Sequence, residues 1–239
     1  MLQLDTGWHG APNDQTGGLH TLHQLITSST RVAVVGSSGN LAHRGHGEAI
    51  DECDVIIRVN AAPTRGFEQD VGSRTHIRVG WGDNGVGGFE DARLNHVITP
   101  GEILVKTAPN LDDGQASWAG SSDRHLGGQH VLLALDIDWA YGLRGALLND
   151  EGVFPSTGFT ALVMAAAIAQ ERGAPPVRVF GFGACPPCPK YYACRPPVAT
   201  DGRGGHDLVW EANGENGHHP FAAEVCMYVT AFCVCGGYM

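Results

Sequence analysis

Two short apolar runs near the front of the chain each end on a loop of small polar residues. The first, Arg31-Val-Ala-Val-Val35, stops at Gly36, and the second runs Asp54-Val-Ile-Ile-Arg-Val-Asn60. Runs this continuous and β-branched mark strands covered on both faces, the condition of a central strand in a parallel sheet. His76 to Val79, Glu102 to Lys106, Val131 to Asp136 and Val177 to Phe180 read as further strands. Glu48 to Glu52 fits one helical turn. Phe159 to Arg172, rich in Ala, Leu and Met, reads as a helix that Gly173 with Pro175 and Pro176 brings to a stop. Another helix is expected over Pro220 to Val234, where Phe221, Val225, Tyr228, Val229 and Phe232 share a face.

Strands alternating with helices predict an α/β fold with a mostly parallel sheet flanked by helices. Residues 1–30 form a polar lead-in with a short helical stretch at Leu19 to Ile26, and 31–239 form the main domain. Ligands of such sheets bind beyond the carboxyl ends of the strands. Gly36, Asn60, Ser156 and Gly181 all fall there or on an adjoining loop.

Composition narrows the partners. Lys+Arg 15 against Asp+Glu 25 gives a formal net charge of -10, with no basic stripe, which argues against nucleic acid. A small anion stays compatible, because backbone amides and helix N-termini bind phosphate without net positive charge. No apolar run is long enough to cross a bilayer, and residues 1–30 have no signal-peptide pattern. Seven cysteines leave at least one without an intrachain partner.

Taken without any family in view, the loop Gly36-Ser-Ser-Gly-Asn-Leu41 matches no dinucleotide, phosphate-loop or nucleophile-elbow pattern. It reads either as a tight turn or as a place where a ligand approaches the backbone. Pro155-Ser-Thr-Gly158 reads as a helix cap, a role that ligand binding does not displace. Cys185-Pro-Pro-Cys188 with Cys194 and His206 leaves a zinc knuckle open beside disulfides or free thiols. Asp136-Ile-Asp138 reads as a strand-end turn, His43 and His46 as a solvated loop, and Cys226, Cys233 and Cys235 as packing or disulfide residues.

The stretch Val-Ala-Val-Val-Gly-Ser-Ser-Gly-Asn-Leu, then Glu-Ala-Ile-Asp, then the run from Val55 through Asn60 to Thr75, resembles the large sialylmotif of eukaryotic sialyltransferases. Pro-Ser-Thr-Gly-Phe-Thr, a helix and Val-Phe-Gly-Phe-Gly-Ala resemble the small one, and His219 followed by Glu224 resembles the terminal motif. The resemblance spans Arg31 to Glu224. It implies a GT-A-like, Rossmann-type fold and metal-independent, inverting transfer of sialic acid or a related keto-acid sugar from a CMP-sugar donor. The acceptor would be a glycan hydroxyl on a glycoprotein or glycolipid.

It also implies roles for residues. Ser37, Asn40 and Asn60 would contact the donor nucleotide or its phosphate, with Ser37 standing where the family usually has Asn. Ser156, Thr157 and Gly158 would hold cytidine and ribose, and Gly181 and Gly183 would line the same pocket. His219 would be the general base, neutral at a helix start, with His218 as its rival and Glu224 beside it. No cofactor is implied. Such enzymes reside in the Golgi lumen behind an N-terminal membrane helix, so this chain reads as a fragment, a truncated gene model or a soluble form.

The family's disulfide positions are Val32 and, roughly, Ala169 here, and its third motif appears as Leu208-Val-Trp-Glu211 without the usual His. Two other readings stand beside the enzyme: a non-catalytic CMP- or glycan-binding relative, and a nucleotide-dependent oxidoreductase.

Overall fold

A computed structural model of the chain describes residues 8–10, 22, 24–80, 97–107, 131–135 and 156–182, with residues 8–10 and 131–135 described in backbone only. Seven strands form one sheet: β1 (Trp8–Gly10), β2 (Val32–Val35), β3 (Val55–Val59), β4 (Ile77–Gly80), β5 (Ile103–Lys106), β6 (Val131–Leu135) and β7 (Arg178–Phe180). Their order is β1-β6-β5-β4-β3-β2-β7. Every neighbouring pair is parallel except β1 with β6. The helices among the described residues include α1 (Gly47–Asp51), α2 (Glu68–Val71) and α3 (Thr157–Glu171). The fold is the α/β architecture expected from sequence.

The alternating side-chain period of a strand sorts the core into two layers. Val32 and Val34 of β2, Val55, Ile57 and Val59 of β3, and Ile77 and Val79 of β4 pack with Phe159, Leu162, Ala165 and Ile168 of α3. Ala33, Val35 and Ile56 point the other way, onto Leu41, Ile50, Cys53, Ala62 and Val71. The α3 face is thus apolar throughout, whereas the other face is apolar over β2 and carries the buried side chains of Arg58, Arg78 and Lys106 on β3, β4 and β5.

α3 begins two residues before the expected Phe159. Ser156 is its N-cap, and its hydroxyl accepts from the Phe159 N–H at 3.1 Å. The helix closes with Ala174 N–H donating to Ala169 O at 2.8 Å and Gly173 N–H to Gln170 O at 3.2 Å, a Schellman stop.

Part of the stretch read as a lead-in belongs to the fold. β1 is an antiparallel edge strand on β6. Leu22 and Ile26 are fully buried in the α3-side core, where Arg172 Nε donates to Ile26 O at 3.1 Å. A three-residue strand such as β1 is too short to carry a periodic signal, so polar composition hid it. α2 and the 3-10 turn Gly39–Leu41 also go beyond the elements read from sequence. The helix expected over Pro220 to Val234 lies outside the described residues, as do Asp136, Asp138 and the cysteine group at 185, 188 and 194.

Candidate active site

The sheet changes direction at β2. From β2 the chain builds β3, β4, β5 and β6 outward on one side, and then returns through α3 to place β7 on the other. The crevice outside the carboxyl ends of two such diverging strands is the usual ligand position in an open parallel sheet. Here the loops Gly36–Leu41 and Gly181–Phe182 flank that position.

Those two loops are stitched together. Gly36 N–H donates to Phe180 O at 2.8 Å and Ser38 N–H to Gly181 O at 3.0 Å. A methyl group on Gly36 would overlap the Gly181 carbonyl, and one on Gly181 would overlap the Leu41 side chain. Gly181 also has φ +72°, in the left-handed region that glycine tolerates. Two of the small residues at this junction are therefore explained by close approach of backbone. Asn40, in the 3-10 turn, completes the closure by donating from Nδ2 to Phe182 O at 3.0 Å. The Phe182 ring reaches back across both Gly36 and Gly158, which connects the start of α3 to the same junction.

Asn60 stands at the carboxyl end of β3, next to β2, with φ +49°. Left-handed backbone is uncommon outside glycine, and Asn is among the residues that tolerate it best. Its N–H donates to Val79 O at 2.8 Å, and its own carbonyl accepts from Arg78 Nη1 at 2.8 Å. Arg78 is buried and paired with Glu102, Nε to Oε2 at 2.7 Å and Nη2 to Oε1 at 3.3 Å.

Two side-chain oxygens stand out. Asn40 Oδ1 and Asn60 Oδ1 are buried, and neither has a hydrogen-bond partner among the described residues. Buried polar atoms are nearly always satisfied, so an orphaned acceptor asks for an explanation. Both belong to residues that the large motif singles out, and both lie at the carboxyl edge flanking β2.

The surrounding loop is held from below. Asp70 of α2 accepts from the N–H groups of His43 and Gly45, each at 2.9 Å. Burial on its own would raise the Asp70 pKa, but those backbone donors hold it below the ordinary carboxylate value. His43, with φ +61°, and His46 are exposed on this loop.

The other sequence-derived positions fall as follows. Ser156, Thr157 and Gly158 form the N-terminal turn of α3. Ser37 lies partly buried in the first loop, and Gly181 lies in the second. Gly183, His219 and Glu224, with His206, His218 and Glu211, lie outside the described residues. Sequence reasoning did not single out Phe182, Arg78 or Glu102. An arginine between Ile77 and Val79 on a buried strand is the signal that would have found the last pair.

The family model described as glycosyltransferase family 29 (sialyltransferase) matches residues 18–81. The CMP-N-acetylneuraminate-beta-galactosamide-alpha-2,3-sialyltransferase 2 of Mus musculus is 31% identical over 188 residues, covering 77% of this chain and 47% of that protein. The family-model match and this relative support the eukaryotic sialyltransferase family for this chain. Within it, the sialyltransferase 1 of the same alpha-2,3 series from Gallus gallus is 27% identical over 194 residues, covering 80% of this chain and 50% of its own length. The chain thus spans about half the length of the curated family members it matches.

Two solved structures of a mammalian sialyltransferase share the fold. One has a TM-score of 0.54 at 18% identity, covering 92% of this chain and 78% of that one. The other, in complex with Gal-beta-1-3GalNAc-ortho-nitrophenol, has a TM-score of 0.52 at 20% identity, covering 91% and 78%.

Proposed function

We propose that this chain transfers sialic acid, or a closely related keto-acid sugar, from a CMP-sugar donor to a glycan hydroxyl, and that the crevice at the end of β2 holds the donor nucleotide. The observation that carries the reading is the pair of orphaned acceptors, Asn40 Oδ1 and Asn60 Oδ1. A nucleoside offers hydroxyl and amino donors to such oxygens, whereas a phosphate, itself an acceptor, does not. The phosphate is left to the N-terminal turn of α3, where the amides of Thr157 and Gly158 and the positive end of the helix favour an anion. Ser37, Gly181 and Gly183 complete the lining, and Ser156 both caps the helix and borders the site.

In the proposed reaction, the acceptor hydroxyl oxygen forms a bond to the anomeric carbon from the face opposite CMP. The bond from that carbon to the CMP phosphate oxygen breaks, and CMP leaves with the electron pair. His219 takes the hydroxyl proton, the role that its place in the terminal motif implies, with Glu224 as the motif's acidic member. The alpha-2,3 names of the relatives favour a galactose-terminated acceptor on a glycoprotein or glycolipid. A Golgi lumenal site of action goes with the same reading.

The test is turnover of CMP-sialic acid with a galactose-terminated acceptor, alongside CMP titration. Wild type is expected to transfer. His219→Ala is expected to bind CMP normally and lose at least about 100-fold in turnover, the scale of a missing general base. CMP binding with no turnover in wild type would favour the non-catalytic binding relative. No CMP binding would sink the proposal.

A further inference from the structure

Asn60 is held in its left-handed turn by a device that lies wholly beneath the site. We infer that Arg78 and Glu102 act as a positioning pair for the donor, setting the Asn60 turn so that its Oδ1 faces the nucleotide. The inference rests on the proposed role of Asn60 in donor binding.

The contacts have one direction. Arg78 spends Nη1 on two carbonyls of the β3-to-α2 connection, Asn60 O at 2.8 Å and Ala62 O at 3.3 Å. Its other two nitrogens form the fork on Glu102, and Nη2 also reaches Val97 O at 3.4 Å. Glu102 Oε1 in turn accepts from the Thr99 N–H at 3.0 Å and the Thr99 hydroxyl at 2.8 Å. Both members of the pair are 1% exposed. The guanidinium therefore has a fixed position, set by the segment before β5, and it fixes the carbonyls on either side of Ala61.

Stability alone does not call for this arrangement. A buried ion pair is often replaceable by packed apolar side chains at no loss of stability. Apolar side chains cannot receive two inward-facing carbonyls, however, and without a donor those carbonyls would turn elsewhere. A change in the ψ of Asn60 or the φ of Ala61 re-aims the Asn60 side chain. The packing shows the same division: Ile77 and Val79 pack on the α3 side, while Arg78 lies on the opposite face with Ala62 and the 60–62 connection.

The experiment is a cycle read by CMP titration and by thermal midpoint. Its members are wild type, Asn60→Ala, the joint replacement Arg78→Met with Glu102→Leu, and all three changes together. Asn60→Ala is expected to weaken CMP by about tenfold, the worth of roughly one hydrogen bond. The joint replacement, which strands the Asn60 and Ala62 carbonyls, is expected to lower the thermal midpoint and to lose CMP affinity by a similar factor, with no further CMP loss when it is added to Asn60→Ala. Arg78→Lys, which keeps the charge but not the fork, is expected to give the same CMP loss and serves if the joint replacement does not fold. Wild-type affinity in the joint variant or in Arg78→Lys would overturn the inference, and so would a loss that simply adds to that of Asn60→Ala. Failure of wild type to bind CMP would instead overturn the donor-site reading itself and remove the inference with it.

Discussion

Buried polar residues on β3 and at the start of β4 tie the strands to their surroundings through different contacts. Arg58, fully buried on β3 beside Arg78 in the parallel register, donates to the carbonyls of Val71 and Arg74 and to Thr75 Oγ1. It thereby ties the strand to the Val71–Thr75 turn. His76, half-buried at the start of β4, accepts the Ile56 N–H on Nδ1 at 3.0 Å. That contact requires a neutral ring. Burial, and then the positive charges of Arg74 and Arg58, lower its pKa from the ordinary histidine value.

The sign follows from linkage: the unfolded chain binds the proton at a higher pH than the folded one. Stability is therefore fully present above about pH 6.5 and falls as the pH drops through that value toward the depressed one. Denaturant midpoints between pH 8 and 5 should decline for wild type and decline less for His76→Asn, whose amide oxygen can still accept from Ile56. Equal slopes would show that another group titrates.

At the scale of elements, the junction of β2 with β7 couples folding to the site. Gly36 and Gly181 let the two loops touch, and Asn40 and Phe182 lock them. Gly36→Ala places a methyl against the Gly181 carbonyl, which belongs to backbone and has no flexible tip to swing aside. The expected cost is about 1–3 kcal/mol of stability, as for an overpacked core, read as a lowered thermal midpoint. Because the same shift moves Phe182 O away from Asn40 Nδ2, CMP affinity should fall with it. Unchanged CMP binding in a destabilised Gly36→Ala would separate the junction from the site. Ser156 illustrates a milder coupling, since its hydroxyl caps α3 at the end that the proposed reading gives to phosphate.

At the scale of the whole molecule, the strand order dictates both rigidity and where a ligand can enter. β3 and β4 lie in the middle of the sheet, paired on both sides and buried along their length, whereas β1 and β7 are its edges. Amides of β3 and β4 are expected to exchange with solvent at least about tenfold more slowly than those of β1 and β7, following the gradient from core to edge. Native-state hydrogen exchange measures this directly. Fast exchange at Ile57 or Val79 would mean that the sheet opens from its centre. The reversal of strand order at β2 places the usual ligand position of such a sheet beside its most protected part.

Much of this was written along the chain. The apolar runs at Val32–Val35 and Val55–Val59, the second interrupted by Arg58 alone, declare central parallel strands, because only a strand covered on both faces is apolar at nearly every position. The small residues at 36 and 181 and the asparagines at 40 and 60 could be picked out by their place at strand ends and by the motif around them. The strand Trp8–Gly10 could not, because three residues make no period and an edge strand is defined by its neighbour β6. Nor could the partnership of Arg78 with Glu102 and Asn60, or the reach of Phe182 over Gly36 and Gly158, be read from spacing. Local sequence determines which residues are apolar, turn-forming or able to donate. Which of them meet across 142 positions of chain, as Asn40 and Phe182 do, is decided only when the sheet sets its strand order. The orphaned oxygens of Asn40 and Asn60 were likewise fixed by tertiary packing, since burial removes water from an acceptor that the sequence alone would leave hydrated.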